Sequence, residues 1–200
     1  MKKILSIIFL SLIASSCSLA PFSATNTGQS LGAGKGNFEI GSANASYYMR
    51  FGYGISQNFD IGYVMEFGGF ATSGIYTKYS FINNKTGPSL AMELGYGAAD
   101  VSSYSYAGLV GSLAFGKSFE LFINPRYNVV RTDEKDLDLN KTIGNVKVTD
   151  TDLKYFYLAA GMNVWFTQSI GMSLYIIKIE GDKIESANDS STAAALITKF

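Results

Sequence analysis

The sequence predicts an all-β protein, namely a single antiparallel up-and-down transmembrane β-barrel of about ten strands. Apolar and polar residues alternate with a period of two, rather than 3.6, from Gly36 to the last residue. The composition of 13 Tyr, 14 Phe and 21 Gly against 3 Pro favours strands and tight turns over helices. After the amino-terminal region, no apolar run approaches the roughly 20 residues that a membrane helix needs.

Ten segments carry this alternation, and most are near the length that a tilted membrane strand requires, longer than the five or six residues common in soluble proteins. The predicted strands cover residues 35–42, 46–55, 58–68, 72–82, 88–98, 104–116, 118–131, 152–166, 169–180 and 191–200. An even number of antiparallel strands closes a barrel and removes free sheet edges. Eight strands are the alternative, if the first two segments do not join the barrel.

The amino terminus has the pattern of an export signal. Lys2 and Lys3 precede about ten apolar residues, which is the order of a secretory signal peptide. The following run, Ala14-Ser15-Ser16-Cys17, resembles the lipobox of bacterial lipoproteins, although Ala14 stands where that pattern prefers Leu. The resemblance implies lipidation of Cys17, which is the only cysteine and therefore forms no intrachain disulfide.

These features divide the chain into three parts. Residues 1–17 are the predicted signal peptide with its lipobox, and residues 36–200 are the predicted barrel domain. Residues 18–35 between them are small, polar and rich in glycine, which predicts a flexible lead-in. The glycine-rich run at 32–36 lacks the spacing and the following helix of a phosphate-binding loop.

The connections between strands differ at the two ends of the predicted barrel. Those after strands two, four, six and eight are tight, whereas residues 100–103, 132–151 and 182–190 form longer, polar connections. Short turns at one end and long loops at the other are typical of outer-membrane barrels. Both barrel termini, and a lipidated Cys17 in the inner leaflet, are then expected at the short-turn end. The alternation at 146–148 predicts a hairpin within the longest loop.

The alternation gives each strand an apolar face and a face with single, spaced charges and much glycine. Such a face differs from the Lys- and Glu-dense surface of a soluble sheet. Tyr and Phe also recur near the strand ends, as in membrane-interface girdles. We therefore expect residues such as Phe51, Met65 and Leu174 to meet lipid, and the charged face to line the lumen.

The lumen-facing charges form a set that we call the lumen charge network. Its members are Glu39, Arg50, Asp60, Glu66, Lys78, Glu93, Glu120 and Arg126. Side chains can fill the interior of so small a barrel, and unpaired buried charges are costly. We therefore expect these charges to pair and to close the lumen, with Lys78 opposite Glu93. A narrow, water-filled lumen is the alternative.

Catalytic chemistry is not predicted. The chain has no histidine, which removes the usual general base and the commonest metal ligand. Acids and bases are interleaved on the luminal face, as in a structural network. The sequence therefore predicts no enzyme, no catalytic residue, no cofactor and no metal site. A formal net charge of zero also gives no field that would attract nucleic acid.

The carboxyl terminus carries the resemblance to a family. Phe200 ends a strand that has Ala194, Leu196 and Thr198 on the same face. This end resembles the carboxy-terminal signal of outer-membrane barrels, which implies recognition by the barrel-insertion machinery. The mature chain resembles small barrels of the OmpA/OmpX type. That resemblance implies contact with outer-membrane lipid and a location in the outer membrane of a Gram-negative-type bacterium.

The expected function is a structural or surface-interaction role with a mostly closed lumen. The 132–151 loop is the candidate contact for an extracellular partner. One alternative is a narrow channel for small solutes. Another is a soluble, lipid-anchored barrel that binds a hydrophobic ligand inside, which requires the opposite assignment of the two faces.

Overall fold

The computed structural model describes residues 20–44, 46–68, 71–99, 102–132, 141–143, 146–148, 153–181, 184–186 and 190–200. The strands that form the barrel are β1 (Gly36–Ala43), β2 (Ser46–Gly54), β3 (Phe59–Gly68), β4 (Thr72–Ile82), β5 (Gly87–Ala99), β6 (Ser102–Phe115), β7 (Phe119–Thr132), β10 (Leu153–Trp165), β11 (Ile170–Glu180) and β13 (Ser191–Lys199). Three short strands lie outside it: β8 (Lys141–Ile143), β9 (Val146–Val148) and β12 (Ile184–Ser186). No helix among the described residues has the length and apolar character needed to cross a membrane.

The ten long strands form one closed antiparallel barrel. The first and last strands complete the circle, with a register that runs from Asn37 opposite Lys199 to Ala43 opposite Ala193. The predicted fold is therefore confirmed. The eight-strand alternative is wrong, because β1 and β2 each pair with a barrel strand on both sides.

The two ends of the barrel differ as expected, with one correction. We call the end that carries connections 55–58, 83–86, 116–118 and 166–169 the turn end, and the opposite end the loop end. The connection after β5 was predicted to be long, but Ala99 pairs with Ser102 and only two residues lie between them. The small residues on both sides continue the strand alternation, so the two strands extend further than predicted.

The longest loop contains the predicted hairpin. β8 and β9 pair antiparallel, and β12 from the connection between β11 and β13 adds to β9. The result is a three-stranded sheet built from the two long connections of the loop end. Residues 133–140, 144–145 and 149–152 of the loop region lie outside the described residues.

The exposures agree with the predicted orientation of the two faces. Phe51 and Leu174 are 41% and 39% exposed on the outer face, whereas Arg50 and Glu93 are 3% and 0% exposed inside. A closed barrel with an apolar outer belt and a polar interior is the arrangement that spans a membrane. The soluble-barrel alternative does not fit, because it requires the apolar face to point inward.

The outer belt yields a test by substitution of lipid-facing residues. Replacing Leu174, in the middle of β11, by Lys is expected to lower the free energy of unfolding by about 2–4 kcal/mol, because it places a charge near the bilayer midplane. Ile170→Lys at the strand end is the matched control, with an expected cost of at most about 1 kcal/mol. Urea titration in phospholipid vesicles, followed by the fluorescence of Trp165, measures both. Equal losses for the two variants would contradict the orientation.

Candidate functional site in the barrel lumen

The residues that precede β1 lie inside the barrel. We call Ala20–Leu31 the lumen segment; Ala20, Phe22 and Ala24 within it are at most 2% exposed. The prediction of a flexible lead-in over 18–35 was therefore wrong for this segment, although residues 18 and 19 lie outside the described residues. Its uncharged and mostly small or polar residues suit a flexible linker and a narrow polar channel equally well. Contacts with the luminal wall decide between the two.

The lumen segment crosses the barrel from one end to the other. At the loop end, the backbone N–H of Ala20 donates to the hydroxyl of Tyr155, the third residue of β10, at 3.0 Å. At the turn end, the N–H of Ser30 donates to Asn83 Oδ1 at 3.0 Å. An extended chain of this length reaches about 35 Å, more than the height of a typical apolar belt. A single passage therefore occupies the lumen.

A tight turn at residues 32–35 reverses the chain from the lumen into β1. Gly32 and Gly34 have φ angles of +84° and +77°, which only glycine adopts without strain. The N–H of Lys35 donates to the Gly32 carbonyl at 3.2 Å, and that of Gly34 to the Gly54 carbonyl at 2.9 Å. The glycine-rich run therefore serves this reversal. It also means that Ala20 lies near the opposite end of the barrel from both barrel termini. The expectation that a lipidated Cys17 lies at the short-turn end was therefore wrong, because three residues span at most about 10 Å and cannot reach back to that end.

Each acid of the lumen charge network contacts the lumen segment. The contacts join Glu39 to Asn26, Asp60 to Ser30 and Leu31, Glu66 to Phe22 and Ser23, Glu93 to Thr25, and Glu120 to Thr27. Glu66, for example, accepts hydrogen bonds from the backbone N–H groups of Phe22 and Ser23 at 2.9 and 2.6 Å. Charge-assisted bonds of this kind are stronger than those between neutral groups.

The bases of the network contact the lumen segment as well. Arg126 donates to the carbonyl oxygens of Ser23, at 3.1 Å, and Pro21. Lys78 donates to the carbonyl oxygens of Gln29 and Thr27 at 2.6 and 3.3 Å. Arg50 donates to the hydroxyl of Thr25. All eight members of the network therefore hold the lumen segment directly.

Two ion pairs lie within the network. Arg50 and Glu93 are 3.0 Å apart, and Lys78 and Asp60 are 3.2 Å apart. Lys78 stands opposite Glu93 in register, as expected, yet it also stands opposite Asp60 on the other neighbouring strand and forms its ion pair there. Glu39 accepts from neutral donors, including the Tyr48 hydroxyl at 2.6 Å. Neutral donors, many of them on the lumen segment, thus complete the network.

Sequence reasoning missed a set of luminal tyrosines. Those that are buried are Tyr48, Tyr76, Tyr104, Tyr106, Tyr155, Tyr157 and Tyr175. The same alternation could have found them, since Tyr48 and Arg50 share a face of β2. The Arg126 guanidinium lies 3.9 Å over the Tyr157 ring, whose hydroxyl donates to the Phe22 carbonyl at 2.5 Å. These rings orient the network and bind the lumen segment.

Inward glycines make room for the tyrosine rings. A Cβ at Gly62 would collide with the ring of Tyr76, and one at Gly95 would collide with the ring of Tyr106. Each tyrosine faces its glycine directly across a strand pair. The many glycines on the charged face therefore allow aromatic rings to lie flat along the luminal wall.

The remaining predicted site residues lie apart from the lumen. Phe200 is 68% exposed at the turn end, where its backbone pairs with that of Gly36. Cys17, predicted to be lipidated, lies outside the described residues. Within the described residues, no group of three or more histidine, cysteine, aspartate or glutamate side chains could hold a metal ion.

Comparison with known proteins identifies the fold. Among solved structures, the chain is similar to the KdgM porin in complex with disordered oligogalacturonate, with a TM-score of 0.52 and 7% identity over 83% of this chain and 98% of that chain. The fold is that of an outer-membrane β-barrel. No protein-family model and no curated protein matches the sequence.

Two further solved structures show lower structural similarity. The amino-terminal β-barrel domain of Pseudomonas aeruginosa OprF has a TM-score of 0.40 and 12% identity over 84% of this chain and 99% of that chain. Neisserial surface protein A has a TM-score of 0.35 and 12% identity over 83% of this chain and 94% of that chain.

The contact of Glu66 with the lumen segment can be tested by Glu66→Gln. We expect a loss of about 1.5–3 kcal/mol in the free energy of unfolding, because the amide offers fewer acceptors to the two backbone N–H groups. Hydrogen exchange at Phe22 and Ser23 should become faster. Glu180→Gln, at an exposed position of β11, is the matched control. Unchanged exchange in Glu66→Gln would show that this carboxylate does not hold the segment.

Proposed function

We propose that the protein is a closed barrel of the outer membrane with a structural and surface-interaction role. The observation that carries the proposal is the passage of Ala20–Leu31 through the whole lumen, bonded to every member of the lumen charge network. A passage for solutes would have to displace this segment. The function requires no catalytic residue and no cofactor.

Barrel size supports closure. The interior of a ten-stranded barrel is only slightly wider than that of an eight-stranded one, which side chains alone can fill. Here the interior holds seven buried tyrosines, eight charged side chains and the lumen segment. Removing the segment would leave Glu66 without the two N–H groups that it accepts. The segment therefore belongs to the stable core of the barrel.

The outer surface supports the proposed location. The exposed apolar belt suits contact with outer-membrane lipid, and Phe200 is the proposed signal for the barrel-insertion machinery. The long connections are proposed to face outward and the short turns the periplasm, as in outer-membrane barrels generally. Lipidation of Cys17 stays a prediction, as does removal of the signal peptide.

The loop end is the proposed interaction surface. The sheet of β8, β9 and β12 gives residues 141–143 and 146–148 of the loop region a defined backbone, which an unstructured loop would lack. Its strands are only three residues long, so the sheet offers a small platform. We propose that an extracellular partner binds there.

Electrical recording in planar lipid bilayers tests closure. The intact protein should produce no steady conductance, because the lumen segment blocks the lumen. A variant that lacks residues 20–31 should conduct ions, because water then replaces the segment around the charged wall.

Removal of residues 141–148, which include β8 and β9, is the control deletion and should leave the barrel without conductance. Steady, large conductance from the intact protein would instead support the channel alternative. If the variant without residues 20–31 is folded, as shown by heat-modifiable migration on gels, and remains silent, the wall side chains alone close the lumen.

A further inference from the structure

We propose that the lumen is a binding site for an extended, uncharged peptide, and that it can bind such a peptide as a separate molecule. The inference rests on the proposed function, in which the lumen segment is the resident occupant. It adds the chemical class of ligand that the wall recognises. Backbone contacts carry the proposal, and three positions of the segment add selectivity.

Side chains of the luminal wall form hydrogen bonds to the backbone in the first half of the lumen segment. Glu66 accepts the N–H groups of Phe22 and Ser23, while Arg126 donates to the carbonyl of Ser23. The Tyr157 hydroxyl donates to the carbonyl of Phe22. Donors and acceptors thus face the two kinds of backbone group that any peptide presents.

The same recognition continues in the second half. Gly28 donates its N–H to Ser112 Oγ at 3.0 Å and accepts from Ser80 Oγ at 2.9 Å. Asn163 Nδ2 donates to the carbonyl of Asn26 at 2.7 Å. Main-chain hydrogen bonds give affinity for an extended peptide, and pockets for side chains give selectivity. The lumen provides both.

Three positions restrict which peptide fits. Phe22 is 1% exposed and belongs to the buried cluster that contains the luminal tyrosines, so this position favours an aromatic side chain. The Thr25 hydroxyl lies between Glu93 and Arg50 and contacts both. A Cβ at Gly28 would lie 2.8 Å from the carbonyl oxygens of Ser89 and Val110, which are backbone atoms that cannot move aside easily. Glycine is therefore required there.

The absence of charge from the lumen segment is a further selectivity feature. No Asp, Glu, Lys or Arg occurs between Ala20 and Leu31, and the wall already contains the ion pairs Arg50–Glu93 and Lys78–Asp60. An added buried charge would need its own partner and would otherwise be costly. We therefore expect the lumen to exclude a peptide with a charged residue, because that charge would be buried without a partner.

The tether to the barrel is short and exposed. Ala33, Gly34 and Lys35 are exposed in the turn that joins the lumen segment to β1. The contacts inside the lumen are noncovalent, so they do not depend on this connection. The tether raises the local concentration of the segment without changing its contacts. A cut in the turn should therefore leave the segment bound.

The experiment cuts the tether after folding. A protease site is inserted between Ala33 and Gly34 of the full chain, the protein is folded in detergent, and the turn is then cleaved. The segment should copurify with the folded barrel. Excess synthetic peptide of residues 20–33, with a fluorophore at its carboxyl end, should then exchange into the lumen and saturate at one peptide per barrel.

Matched peptides test the selectivity. A Gly28→Ala peptide should compete about tenfold or more weakly, because overpacking against backbone is costly. A Gln29→Ala peptide should compete within about twofold, because Gln29 contacts Lys78 through its backbone carbonyl. A peptide with Ser23→Asp should compete at least about tenfold more weakly.

Several outcomes overturn the proposal. Loss of the segment on cleavage, whether or not the barrel unfolds, shows that the lumen does not hold a separate peptide. Equal competition by the Gly28→Ala and Gln29→Ala peptides shows that the wall does not select it. Closure is tested separately by bilayer recording. If the intact barrel shows no conductance but loses its cut segment, the proposed function stands and this inference fails. If the barrel conducts ions but binds the peptide, this inference stands and the proposed closure fails.

Discussion

The structure depends on finding partners for eight charged side chains inside a narrow, closed barrel. An unpaired charge away from water is costly, and five acids cannot all pair with three bases. The lumen segment resolves the imbalance with N–H, hydroxyl and amide donors while adding no charge of its own. The luminal charges therefore require the lumen segment as a source of partners, and the segment is held in the barrel by those charges.

The barrel itself follows from local pattern, which explains why its strands could be predicted. Alternation continues until a turn interrupts it, so residues 72–82 were predicted with the observed limits of β4. β6 begins at Ser102 rather than at 104, because small residues obscure its start. Closure follows from the even strand number, and the outward face follows from the requirement for an apolar surface in lipid.

The occupant of the lumen could not be predicted in the same way. Its sequence of small polar residues has the composition of a linker, and its position depends on groups distant in the chain, such as Glu66 for Phe22 and Tyr155 for Ala20. The available signal was weak, because the inward-facing Lys199 adds a fourth base and leaves the luminal acids and bases nearly balanced. Likewise, the strand register places Lys78 between Asp60 and Glu93 and does not decide which acid it pairs with. Its flexible side chain turns toward Asp60 and the Gln29 carbonyl of the lumen segment.

Closure and stability therefore rest on the same contacts. Glu66 and Arg126 hold the lumen segment and at the same time obtain from it the partners that permit their burial. Any process that opens the lumen must supply new partners to both, from water or from another peptide. The sheet of β8, β9 and β12 is built from connections that lie outside the barrel wall. That surface can therefore change in sequence without altering the contacts that keep the barrel closed.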